Sequence, residues 1–131
     1  MENLIFFSLI FCLFINFGIG AIDYSGVNRT FLCMYKGIIE CSISQIDDNG
    51  EPVEPHFDKE RLENYLVSYF EENLTKYVTH YTAAIYYFDN DDQTICTDTC
   101  CTSVRISLDC EINYFFHYTK ARNFYINQTY E

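Results

Sequence analysis

Tryptophan is absent from this chain, proline occurs only twice, and basic residues number 8 against 19 acidic ones. The shortage of basic residues excludes the most. A formal net charge of −11 repels a phosphate backbone, so the chain is not expected to take nucleic acid as a partner. Anionic lipid headgroups are similarly unwelcome. The acids are read as a solubilising surface for a small, aromatic-rich domain. No basic residue precedes Arg29, so the positive flank of a typical signal peptide is missing, and with it any positive-inside orientation signal. There is no internal repeat and no low-complexity linker, and 131 residues make one domain.

Motifs for chemistry are also scarce. His56, His80 and His117 are scattered, and none has a partner at ligand spacing. A Cys–His nucleophile pair is formally available, but the thiols are better used as cross-links. The acidic run Asp89-Asn90-Asp91-Asp92 lacks the glycine and glutamate that a calcium-binding loop needs. Thr94 and Cys100 stand at those positions, and a solvated acidic hairpin is expected instead. No enzyme activity, no cofactor and no metal is expected.

What is present begins with "MENLIFFSLIFCLFINFGIGAID". Leu4 to Ile15 form an apolar core interrupted only by Ser8, and Gly18 and Gly20 suit the −3 and −1 positions of a cut before Ala21. Counted to Ile22, the same segment is uncharged and nearly long enough to cross a hydrocarbon core. Residues 1–22 are therefore either a signal peptide or a membrane anchor. In both cases residues 23–131 form one domain outside the cytoplasm.

Seven cysteines occur. Cys12 lies in the leader, and Cys33, Cys41, Cys96, Cys100, Cys101 and Cys110 follow it. An even count behind an export segment points to disulfides rather than zinc. Adjacent Cys100 and Cys101 are expected to tie their loop to two different places, with Cys110 a natural partner for one. Cys33 and Cys41 pair with each other, or one joins the loop. The sequons at Asn28, Asn73 and Asn127 matter only in a glycosylating host, where Asn28 and Asn127, near the domain's ends, are the better acceptors.

The aromatic content is 12 Phe and 12 Tyr, which suits half-buried sheet faces. Val27, Phe31, Met34, Tyr35 and Ile38 recur at helical spacing. Gly26 and Gly37 weaken the helix, so it is expected to be short or frayed, continuing the leader helix if the leader is retained. "IIECSISQI" alternates as a strand, which Asn49-Gly50 and the two prolines of "DDNGEPVEP" end.

"FDKERLENYLVSYFEENLTKY" is the clearest helix. Asp58 is its N-cap, Phe57 and Leu62 form a staple, and Leu62, Leu66, Tyr69, Phe70 and Tyr77 lie on one stripe. Lys59–Glu63 and Glu72–Lys76 are spaced as ion pairs, and Asn73 interrupts the stripe. "YVTHYTAAIYYF", "SVRISLDCEINY" and the short "RNFYIN" are strands. In the second, Val104, Ile106, Leu108, Cys110, Ile112 and Tyr114 alternate with polar residues. The expected fold class is α+β. An N-terminal hydrophobic helix precedes an antiparallel sheet of about three to four strands, packed on one amphipathic helix and linked by disulfides.

The stretch "IDDNGEPVEPHFDKERLENYLVSYFEENLTKYVTHYTAAIYYFDN", followed by "CCTSVRISLDCEINYFFHYTKARNFYIN", resembles envelope proteins of AT-rich Gram-positive bacteria. Those are similar to pseudopilins of the tight-adherence (Tad-type) pilus. The resemblance covers Ile46 to Asn127, about 60% of the chain, in element order and style. It implies an uncleaved or minimally processed N-terminal helix, an extracytoplasmic domain in the cell membrane, and a structural role beside envelope or pilus-assembly proteins. The glycine that precedes the helix in prepilins has no counterpart before Glu2. The alternative is a small secreted, disulfide-bonded binding or effector protein with a cleaved signal peptide.

Overall fold

The longest element is set by the apolar N-terminus and the stripe that follows it. In the computed structural model, which describes residues 2–89, 94–113 and 115–126, helix α1 runs unbroken from Glu2 to Ser42. Its 41 residues extend about 60 Å at the usual rise. The expected short or frayed helix after residue 23 is thus corrected to the second half of one long helix. Val27, Phe31, Met34 and Ile38 are fully buried on one face.

The two glycines that should weaken α1 have a packing use. A side chain at Gly26 would collide with the ring of Tyr77, and one at Gly37 with the ring of Tyr65. Close approach of a second helix offsets the roughly 1 kcal/mol that each glycine costs.

That second helix, α2, spans Lys59–Leu74 and is capped by Asp58, whose carboxylate accepts from the Arg61 amide at 3.2 Å. Leu62, Leu66, Phe70 and Leu74 are buried. Tyr69 donates to the carbonyl of Thr30 at 2.7 Å and Tyr65 to that of Met34 at 3.4 Å, so α1 and α2 run antiparallel. Asn73 is satisfied within the helix, donating to the Tyr69 carbonyl at 2.8 Å. Lys59 and Glu63 do not form the expected ion pair. Lys59 lies over the Tyr87 ring, and Glu63 accepts from the Tyr87 hydroxyl.

Five strands form two antiparallel sheets among the described residues. β1 (Ile43–Ile46) pairs with β2 (Pro52–Phe57), and β3 (His80–Phe88), β4 (Ser103–Glu111) and β5 (His117–Tyr125) form a meander in that order. The expected strand from Ile39 is corrected here. α1 keeps the chain helical through Ser42, because Ile38 is buried beside α2.

β2 is the second correction, since the prolines were expected to stop pairing. Pro52 begins the strand, and Pro55 falls where the β1–β2 register shifts between Ser44 and Ile46. A strand start and a bulge are the two places where a missing N–H is tolerated in a sheet. Gly50 makes the connecting turn with φ of 79°.

β4 alternates as its sequence predicts. Val104, Ile106, Leu108 and Cys110 are all fully buried against the helices. Tyr114, expected to extend that alternation, lies outside the described residues. β5 is longer than the expected "RNFYIN" strand. It starts at His117 and buries Tyr118 and Phe124 on the same face of the sheet. The core is one cluster shared by α1, α2 and the inner face of the meander.

Candidate functional site: the apolar half of α1 and the turn that rests on it

From Asn3 to Ile22 the chain has 20 consecutive uncharged residues, with Glu2 before them and Asp23 after. As helix they rise about 30 Å, the thickness of a bilayer's hydrocarbon core. The described part of α1 from Ser8 is long and apolar enough to cross a membrane, and a signal sequence would meet the same criterion. Its side chains stand bare, with Phe11, Phe14 and Ile22 at 66%, 72% and 70% exposed. Leu9, Leu13, Ile15, Phe17 and Ile19 are exposed as well, so the apolar surface runs round the helix. A helix apolar on every side is made for an apolar surround rather than for one core face.

One element folds back onto this half. The β4–β5 turn places Phe115 and Phe116 against Phe17, with ring centroids 5.9 and 5.1 Å away. A line of rings continues along α1. Phe116 meets Tyr24 at 6.1 Å, Tyr24 meets Tyr118 at 5.3 Å, and Tyr118 meets Phe31 at 6.1 Å. Gly20 is where the turn crosses the helix, and a side chain there would strike the Phe116 ring and the Asn113 amide. Gly18 faces open space. Ile10, Leu13, Phe14, Phe17 and Phe115 line a shallow, apolar hollow of about 380 Å³.

The sequence-predicted site residues fall elsewhere. Cys96 and Cys101 form a disulfide that closes a five-residue separation at the end of the meander. The pairing differs from the one expected, since Cys101 bonds back to Cys96 while Cys100 is an exposed free thiol. Cys110 is unbridged and buried on β4, where loss of solvent, and then the charge of Asp109, push its thiol up to about 11. Cys33 and Cys41 are both exposed on α1. Eight helical residues separate them by about 12 Å, beyond the Cα spacing a disulfide tolerates, so they do not pair with each other.

Asn28 is half-buried within α1 and accepts from the Tyr118 hydroxyl at 3.1 Å. Asn127, like Asn90, Asp91 and Asp92, lies outside the described residues. His56 and Cys100 border one open groove with Pro52 and Thr102. His117 pairs with Asp109 at 2.6 Å on the exposed face of the meander, where an ion pair contributes little. Among the described residues no three His, Cys, Asp or Glu side chains cluster to hold a metal ion.

Sequence reasoning missed the turn at Phe115–Phe116 and the use of Gly20. The signal for the first was two adjacent phenylalanines between strands, where solvated turns usually carry polar residues. No protein-family model, no curated protein and no solved structure matches this chain.

Proposed function

We propose that this chain is a non-enzymatic, membrane-anchored protein with its folded domain outside the cytoplasm, serving a pseudopilin-like structural or assembly role in an envelope. The observation that carries the reading is the division of labour within α1. One unbroken helix offers bare apolar surface at Leu9, Phe11, Leu13, Phe14, Ile19 and Ile22 and the buried stripe Val27, Phe31, Met34 and Ile38 beyond them. Anchor and core helix are continuous, so the domain is held at a fixed attitude to the segment that would cross the bilayer. The Phe17 contacts to the turn support retention, because a cut before Ala21 would strip Phe115 of that partner. The Cys96–Cys101 disulfide suits an oxidising compartment outside the cytoplasm. Partners would be the membrane and other envelope or pilus-assembly proteins, with no nucleic acid.

A second reading is favoured by one specific observation. Cleavage after Gly20 would leave Ala21–Ser42 with the buried side chains Val27, Phe31, Met34 and Ile38 intact, giving a secreted binding or effector domain. Intact mass on membrane and soluble fractions of the native host separates the two. Full-length protein in the membrane fraction is the expected result. A soluble species lacking the first 20 residues would replace the anchored reading with the secreted one.

A further inference from the structure

We propose that the β4–β5 turn is a second membrane contact, in which Phe115 enters the interfacial layer of the same bilayer that α1 crosses. This rests on α1 remaining in the membrane, as proposed above.

Depth is the first consideration. Phe17 lies five residues, about 7 Å along the axis, inside the Ile22 end of the uncharged stretch. The turn that packs on Phe17 therefore overlaps the spanning segment and does not stand clear of it. Amphipathic elements at a membrane surface bury their apolar groups about 5–10 Å into the boundary between headgroups and acyl chains, which is the same depth.

The second consideration is exposure. Phe115 remains 48% exposed while its ring edge meets Phe17, and the hollow it shares with Ile10, Leu13 and Phe14 is apolar throughout. A phenylalanine packed only to brace the turn would be covered, as Tyr118 is a few residues on. Here the uncovered ring is continuous with the bare surface of the helix.

Backbone chemistry is the third and independent consideration. Water cannot satisfy N–H groups at lipid depth, so a turn placed there must satisfy its own. The Asn113 carboxamide oxygen accepts from the amides of Phe115 at 2.9 Å and Phe116 at 3.2 Å. The Phe116 carbonyl accepts from the amides of Ile112 at 3.2 Å and Asn113 at 3.4 Å. Among the described residues of the turn, four donors are thus held within it. The water-exposed β1–β2 turn likewise holds the amides of Asp47, Asn49, Gly50 and Glu51 on itself, so this pattern permits a place at lipid depth, and the depth and exposure of Phe115 are what assign it.

Charge names the lipid. Exposed Glu111, Asp109 and His117 flank the turn at the strand ends. They suit the headgroup layer, and the two carboxylates disfavour an anionic surface there. The contact is with a zwitterionic interface.

The absence of tryptophan makes the test clean, because each Phe→Trp or Tyr→Trp variant carries one emitter. Full-length Phe115→Trp, Phe11→Trp and Tyr86→Trp are each reconstituted into phosphatidylcholine vesicles with acyl chains brominated near the headgroup end and, separately, near the methyl end. Phe11 reports the anchor, and Tyr86 an exposed position on the meander away from the turn. The expected result, relative to unbrominated vesicles, is that Phe115→Trp loses most of its emission to the bromines near the headgroups and Phe11→Trp to those near the methyl ends, while Tyr86→Trp loses it to neither. Quenching of Phe11→Trp without quenching of Phe115→Trp would overturn the turn contact and leave the anchor standing. Absence of quenching at Phe11→Trp would remove the anchor, and the turn contact with it.

Discussion

The two halves of α1 are one helix by backbone and two different objects by surroundings. From Ser8 to Ile22 the described apolar side chains circle the helix and stand largely exposed, Phe17 meeting the β4–β5 turn. From Asp23 to Ser42 they form one stripe, and that stripe is the centre of the core. The difference teaches that the helical conformation of α1 is not what distinguishes its apolar first half from the half that joins the domain. The distribution of apolar side chains round the axis does that. Coverage all round suits an apolar surround, and a single stripe is met by α2 and the meander.

A charge placed in each half breaks the comparison most sharply. Met34→Asp puts a carboxylate in the fully buried stripe, and the domain should fail to fold, as read by loss of a cooperative melt in detergent. Leu13→Asp should leave that melt unchanged. It should instead empty the membrane fraction, since an aspartate near the centre of a spanning helix costs about 2.5–3.5 kcal/mol of insertion. Equal melts for the two variants would erase the division between the halves.

Glycine sharpens the same contrast at smaller amplitude. Gly37→Ala must displace the Tyr65 ring and should destabilise by about 1–3 kcal/mol in denaturant titration. Gly18→Ala meets open space and should be neutral or slightly stabilising, because alanine is the better helix former. A neutral Gly37→Ala would mean that α2 does not approach α1 as closely as described.

The smallest effect is alkaline. Burial, as the leading cause, pushes Tyr65, Tyr81 and Tyr118 up to about 12 and the Cys110 thiol up to about 11. All four belong to the domain and none to the first half of α1. Their folded values lie above the unfolded ones, so the neutral forms favour the fold. That contribution is complete below about pH 9 and falls as pH rises toward 12. The melt in detergent should weaken over that window while helicity of the apolar first half of α1 persists, as read by circular dichroism. Simultaneous loss of both would make the halves one cooperative unit.

Particular elements show what could be read in advance. α2 was legible because Asp58, the staple position Phe57 and the Leu62–Leu66–Phe70 stripe are local signals that agree with one another. β4 was legible because Val104, Ile106, Leu108 and Cys110 alternate strictly. The strand expected from Ile39 was lost because four residues of alternation also fit a helix whose buried position, Ile38, is decided by α2. The prolines of β2 misled because their tolerance depends on a bulge, and bulges are set by the partner strand. Cysteine pairing was illegible for a similar reason. Which sulfur meets Cys101 depends on how the loop before β4 turns back, and spacing does not encode that.

By itself the sequence determined the uncharged 20-residue stretch, the acidic surface and the periodicities of α2 and β4, because each is a property of neighbouring residues along the chain. Only the tertiary structure decided that α1 is continuous, that Gly20, Gly26 and Gly37 are points of close approach, and that Phe115 lies beside the apolar half of α1. Those are contacts between residues as many as 99 positions apart, Phe17 and Phe116 among them. Their free energy exists only once the chain has brought both rings to the same place.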